Sequence, residues 1–365
     1  MSNIKQTYYN IDKIKSIGAN YNIIYGERSN GKSYQVKHKM GIEHYIKTGK
    51  RFILMRRWRE EITTEKIESY FKDVDVYSLT NGNYNCIVMY RKKLYFANFD
   101  DETFKTKRGE HIGYVVALST EQNYAGGSYL DVDNIIFEEF MSRSMYLANE
   151  PSKLMNFYST VDRKRSIVKI WMVGNSISRV CPYINEWGLT KIMSRQKQGD
   201  ITVKEIKDSD DFIIKIAVEY CKTLGKSGHT LGNNKAMIDT GSWQTSPQPM
   251  LPKSKNSYKV IFRLGFEYQD FRFIGELLKD KEDHKNICWF IYPHEDEFKD
   301  DMIIISDKVK IQRNWNRDIY HLNVSNPRLQ KICDTFIEDQ IFYSTDLCGT
   351  DFKQVIDFSI RKGIR

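Results

Sequence analysis

The chain is poor in the features that would mark a metal, disulfide or membrane protein. Its six cysteines, Cys86, Cys181, Cys221, Cys288, Cys333 and Cys348, form no C-x-x-C pair and no zinc spacing. A redox motif and a structural zinc site are therefore excluded, and reduced thiols are expected. No apolar run approaches the roughly 20 residues of a bilayer span, so no membrane partner is expected. The opening stretch MSNIKQTYYNIDK has no apolar segment of a secretory leader. No internal repeat and no low-complexity tract is visible.

What is there is an aromatic-rich globular composition. The 365 residues are 41% hydrophobic and 28% charged, with 23 Tyr and 19 Phe. That length suggests about two domains. The net charge of +9 favours a polyanionic partner such as nucleic acid.

The first half alternates β-rich and helical stretches. Strands are expected at YNIIYG (21–26), RFILMRR (51–57), GYVVALS (113–119), VDNIIFEEF (132–140) and SIVKIWMVGNS (166–176). Helices are expected at 32–49, after 59, and at EPSKLMNFYSTVDRK, with Pro151 in its first turn. A hairpin is expected over 85–99, turning at Arg91–Lys93. Strands apolar on both faces, separated by helices, predict an α/β domain with a mostly parallel sheet. Residues 191–257 are polar and rich in Gly, Asn, Lys and Pro. They read as a linker or lid with one strand, DFIIKIAVEY, between a domain over 1–190 and another over 258–365. The last block is β-rich, with a helix expected at NPRLQKICDTFIEDQIFY and a basic tail.

The segment GERSNGKS, Gly26–Ser33, has the G-x-x-x-x-G-K-S spacing of a phosphate-cradling loop. It follows a strand and opens a helix, as that loop requires. Gly26 and Gly31 let the backbone turn and approach phosphate, with Glu27, Arg28, Ser29 and Asn30 between them. Amides around Asn30–Ser33 would point at phosphate from the helix N-terminus. Lys32 would place its charge on the β- and γ-phosphates of ATP, and Ser33 would ligate Mg²⁺. The plain alternative is a Gly-containing strand–helix turn, which matches by accident about two times in a hundred in a chain this long.

An ATP hydrolase also needs acids at a neighbouring strand end. VDNIIFEEF supplies Glu138 for the metal and Glu139 as general base for the attacking water. The alternative is a solvated strand end. At the end of another strand, Asn175 could orient that water or sense the γ-phosphate, or simply cap a turn.

Together, GERSNGKS, RFILMRRWREE, GYVVALSTEQNYAGGSYLDVDNIIFEEF and YSTVDRKR…WMVGNSISRVCPY resemble the DNA-packaging (encapsidation) ATPases of small short-tailed bacteriophages, which belong to the ring ATPases with an additional catalytic glutamate. The resemblance covers about residues 10–190. It implies a RecA-like phosphate-loop ATPase domain in a homo-oligomeric ring, usually of five subunits. The ring would sit at the capsid portal vertex in the host cytoplasm and drive double-stranded DNA inward. It also implies an arginine acting on the next subunit's γ-phosphate. Arg163 stands where the family has it, and Arg165 is the near alternative. Without the resemblance, both would read as a solvated helix end. The family commonly has Asp where this chain has Glu138.

Arg56 and Arg57 end a strand and could contact nucleotide or DNA, or form a snorkelling pair on a solvated turn. Lys105, Lys107, Arg108 and His111 fall in an expected loop, a candidate for sequence-independent contact with the DNA backbone. The resemblance further implies that the C-terminal block is a smaller α+β domain like a degenerate RNase H-like nuclease, docking to the portal or to a structural RNA. Its acids Glu267, Asp270, Glu276 and Asp296 would have to converge for a two-metal nuclease; otherwise they are scattered surface acids. Two other functions share these motifs: a helicase or replication loader, and a slow phosphate-loop assembly scaffold.

Overall fold

The computed structural model describes residues 8–142, 146–207, 212–223, 242–268, 271–299, 302–306, 315–316 and 340–363. These form two compact units, one drawn from 8–177, 191–223 and 242, the other from 178–190 and 243–363. The expected boundaries at 190 and 257 differ from this division. The stretch read as a linker is shared between the units, and its first part forms strands.

The larger unit carries β1 (Tyr21–Gly26), β2 (Arg51–Arg56), β3 (Cys86–Tyr90), β4 (Lys93–Asp100), β5 (Lys105–Ala117), β6 (Val132–Glu138), β7 (Lys169–Asn175), β8 (Ile201–Lys207) and β9 (Ile213–Tyr220). They form one sheet in the order β3-β4-β5-β2-β6-β7-β1-β9-β8. The six strands from β5 to β9 are mutually parallel. Antiparallel β4 and β8 extend the sheet on either side. The apolar runs explain the arrangement: every residue of β1 and the run Ile170–Gly174 of β7 are buried, as a sheet covered on both faces requires.

Helices cover the parallel strands: α1 (Asp12–Ile17), α2 (Lys32–Val36), α3 (Glu43–Thr48), α4 (Thr64–Phe71), α5 (Val76–Leu79) and α6 (Glu150–Asp162). The helix expected over 32–49 contains a π-helical turn, Lys37–Ile42, where Gly41 lies against the Phe52 ring. The hairpin expected over 85–99 is present, with Arg91 and Lys92 in the left-handed conformation of a two-residue turn.

Two expectations change. Lys105, Lys107 and Arg108 are not in a loop but at the start of β5, paired with Asp100, Asn98 and Ala97 of β4. Their polar run hides a strand because residues 98–110 are exposed on both faces, so no apolar alternation marks it. Arg108 also lies over the Tyr90 ring, 3.7 Å from its centroid. In addition, β8 pairs antiparallel with β9, so the polar stretch after 200 supplies a second strand where only one was expected.

The smaller unit has β10 (Tyr258–Tyr268), β11 (Phe271–Asp280), β12 (Ile287–Pro293), β13 (Ile303–Ser306), β14 (Trp315–Asn316) and β15 (Ile341–Tyr343), ordered β14-β13-β10-β11-β12-β15. Strands β10, β11 and β12 are antiparallel, while β13 runs parallel to β10 and β14 to β13. Phe266, Phe273, Trp289 and Ile291 pack with Phe352 of the helix Asp346–Gly363. Most of the helix expected over 326–343, together with Cys333 and Asp270, lies outside the described residues; its last residues, Ile341–Tyr343, are strand β15, paired with β12, and not helix. Among the described residues no helix is long and apolar enough to cross a membrane.

Trp171, 1% exposed on β7, donates its Nε1–H to Asn134 Oδ1 of β6 at 2.9 Å. Trp171→Ala should cost the larger unit about 3–5 kcal/mol. Denaturant unfolding checks this; an unchanged midpoint would show that the pair does not support the sheet.

Candidate active site

Parallel register brings the C-terminal ends of β2, β6, β7 and β1 to one edge. Gly26, the last residue of β1, pairs with Asn175, the last of β7. Gly31 then caps α2 with φ +96, a conformation that strains residues bearing a Cβ. The result is a cavity of about 600 Å³ lined by the phosphate-loop residues from Arg28 to Ser33, by Glu138 and Glu139, by Asn175, and by Tyr8 and Asp73.

Lys32 is 4% exposed and its ammonium is held by the loop itself. It donates to the Glu27 carbonyl, to Asn30 Oδ1 at 3.2 Å and to Asn175 Oδ1 at 3.3 Å. Burial pushes its pKa down, because a desolvated ammonium is disfavoured. Ser33 Oγ donates to Glu138 Oε2 at 2.9 Å, and Tyr70 Oη, from α4, donates to Glu138 Oε1 at 2.6 Å. Burial raises the Glu138 carboxyl above its ordinary range, partly opposed by those hydrogen bonds and by Arg56. A hydroxyl and a buried carboxylate this close form the hard oxygen set that suits Mg²⁺.

Residues 3–224, more than half the chain, match the family described as Podovirus DNA encapsidation protein (Gp16). The chain belongs to that family. It is 31% identical over 212 residues to the DNA packaging protein of Bacillus phage phi29, a match covering 57% of this chain and 58% of that relative. Against the DNA packaging protein of Bacillus phage B103 the identity is 26% over 348 residues, covering 90% and 94%. In fold it is similar to a chain of the bacteriophage Phi-29 viral genome packaging motor assembly, with TM-score 0.57 and 21% identity over 98% and 99% of the two chains.

Glu139 has φ +57 and a half-exposed side chain. Its carboxylate accepts from Arg56 Nη2 at 3.0 Å, and Arg56 also lies 3.5 Å from Glu61. Arg56, considered for DNA or nucleotide, is thus paired with the second acid. Arg57 does not snorkel: it is 3% exposed and bound to Glu150.

Arg163 and Arg165 sit at the other end of α6, before β7 begins, and neither lines the cavity. Arg165 is committed to backbone: its guanidinium reaches the carbonyls of Leu130, Tyr129, Val132, Val161 and Asp162 at 2.7–3.3 Å. Arg163 is exposed and reaches the Gly127 carbonyl at 2.7 Å. Lys105, Lys107 and Arg108 are exposed on β5 and do not line the cavity.

Sequence reasoning missed Tyr8, Tyr70, Glu150 and Thr223, whose hydroxyl donates to Glu27 Oε2 at 2.5 Å. Each meets the site only through tertiary folding, and none carries a local spacing signal.

The raised Glu138 pKa fixes a sign. The folded state keeps that proton to higher pH than the unfolded chain does. Stability without divalent cation should therefore fall as pH rises from the ordinary carboxylate range through the raised value. Denaturant titrations at stepped pH check this, and Glu138→Gln should flatten the slope. Equal slopes in both proteins would contradict it.

Proposed function

We propose that this chain is an ATP-driven translocase that moves double-stranded DNA into a preformed capsid. The observation that carries the reading is the meeting of the phosphate loop with the acidic doublet, Ser33 to Glu138 at 2.9 Å, around one cavity. The names of the family and of its relatives supply DNA packaging as the task.

The geometry supports the following roles. Lys32, already surrounded by oxygen acceptors, would exchange some of them for phosphate oxygens. Glu27, Arg28, Ser29 and Asn30 would supply the loop backbone that wraps the phosphates. Mg²⁺ held by Ser33 and Glu138 would neutralise charge on the β- and γ-phosphates. Glu139, once turned from Arg56 toward the cavity, would take the proton of the attacking water. Asn175, which accepts from Lys32, would orient that water or report on the γ-phosphate.

Arg163 fits action in trans. It precedes β7, while the phosphate loop adjoins the far end of that strand. The seven residues of β7 put about 20 Å between those ends. A guanidinium cannot reach its own γ-phosphate across that distance, but a neighbouring subunit could receive it. Arg165, held by five carbonyls, serves the fold. This favours a homo-oligomeric ring, which we place at the capsid portal; five subunits and a structural RNA partner belong to the same reading.

The smaller unit supports a docking role without cleavage. Its order β12-β11-β10-β13-β14 agrees with an RNase H-like sheet. Glu267 is paired with Arg272 at 3.2 Å, and Glu276 with Lys255 and Arg263 at 2.8 and 2.9 Å. Acids neutralised in this way are poor metal ligands, and among the described residues of this unit no three or more His, Cys, Asp or Glu side chains converge as a two-metal nuclease would need.

Hydrolysis assays with and without duplex DNA test the reading. Wild type should be stimulated by DNA, and Lys32→Ala should lose nucleotide binding. Glu139→Gln should bind ATP but turn over about 10²–10⁴-fold more slowly. Arg163→Ala subunits should be rescued by mixing with Glu139→Gln subunits. Normal turnover in Glu139→Gln would overturn the assignment of the base.

A further inference from the structure

We propose that Arg57 and Glu150 form a buried clamp that aims Glu139 and locks the acid-bearing turn to α6, making Arg57 a positioning residue for hydrolysis. This rests on the reading of Glu139 as general base.

Arg57 follows the last residue of β2 and is 3% exposed; Glu150 opens α6 and is 0% exposed. Arg57 Nε donates to both Glu150 oxygens, at 3.0 and 2.9 Å. Its Nη1 donates to the Glu139 carbonyl at 3.1 Å and Nη2 to the Phe140 carbonyl at 2.5 Å. The guanidinium lies 4.8 Å from the Tyr146 ring centroid and 5.7 Å from that of Phe137. One fork therefore grips two consecutive carbonyls and the first residue of the next helix.

The grip falls where the backbone is strained. Glu139 is left-handed, a conformation a β-carbon disfavours and that persists only when the surroundings over-determine it. Holding the carbonyls of 139 and 140 fixes the peptide that sets the direction of the Glu139 side chain. A planar guanidinium serves these four acceptor oxygens in a fixed fork; an ammonium is a point charge with three donors. The other end of the clamp is α6, 13 residues and about 20 Å long, which ends at Asp162, immediately before Arg163. The carboxylate for a chain's own nucleotide and the arginine offered to a neighbour are thus mounted on one connected piece. A shift at the acid turn would carry to the arginine.

A purely structural ion pair would occupy the same place, and the two roles separate by experiment. Replacing a buried pair with apolar residues is often neutral for stability, whereas removing one partner is not. The double variant Arg57→Met/Glu150→Leu, in the full chain, should melt within a few degrees of wild type and keep its KM for ATP. Its kcat should fall at least tenfold, and amides of 139–142 should exchange hydrogen at least tenfold faster. Should the double variant not fold, Arg57→Lys carries the test, with the same loss of kcat at constant KM expected. Wild-type kcat in either folded variant, or unchanged exchange at 139–142 in the folded double variant, overturns the proposal. Wild-type turnover in Glu139→Gln, alongside faster exchange in the double variant, would instead place the failure in the reading of Glu139 and leave the clamp standing.

Discussion

The hydrogen bond between the Ser33 hydroxyl and the Glu138 carboxylate ties together everything assigned to the larger unit. It joins residues 105 positions apart and exists only because the intervening strands run parallel in one register. Gly26 lies beside Asn175, and Glu138 beside Val173. A slip of one residue in any of these pairings would turn the chemistry-bearing side chains to the opposite face. Close packing of the buried side chains of β1, β6 and β7 opposes that slip, so the core helps set the geometry of the charged site.

Charge compensation is the second constraint. Buried Lys32, Arg57, Glu138 and Glu150 would each be expensive alone. Lys32 is covered by three oxygens, Glu138 by two hydroxyls, and Arg57 and Glu150 by each other. Of these, Glu138 and Lys32 are shifted by burial toward their neutral forms, a state that an incoming metal and phosphate would reverse. The smaller unit resolves the same problem differently. There Glu267 and Glu276 are paired with arginines of the sheet and with Lys255 just before β10, which leaves little for a metal to bind.

Much of this was legible in the sequence where the information is local. The phosphate loop shows itself by spacing, the parallel strands by continuous apolar runs, and the Arg91–Lys92 turn by its place between two alternating segments. The acidic doublet was legible as a strand end. Three features were not. Lys105–Arg108 open a strand whose residues are exposed on both faces, so no apolar alternation announces it. The burial of Arg57 depends on Glu150, 93 residues away, and the two neighbouring arginines of RFILMRR look alike until one meets Glu139 and the other Glu150. Arg163 and Arg165 likewise share one motif, and only the carbonyls around Arg165 tell them apart.

The most direct test of the central claim is a double-mutant cycle on Mg²⁺–ATP affinity using Ser33→Ala, Glu138→Gln and the pair. If both groups hold one ion over one triphosphate, the losses should be non-additive, with a coupling of about 1 kcal/mol or more. Losses that add to within about 0.5 kcal/mol would show that the two side chains act independently, and would contradict a single shared site.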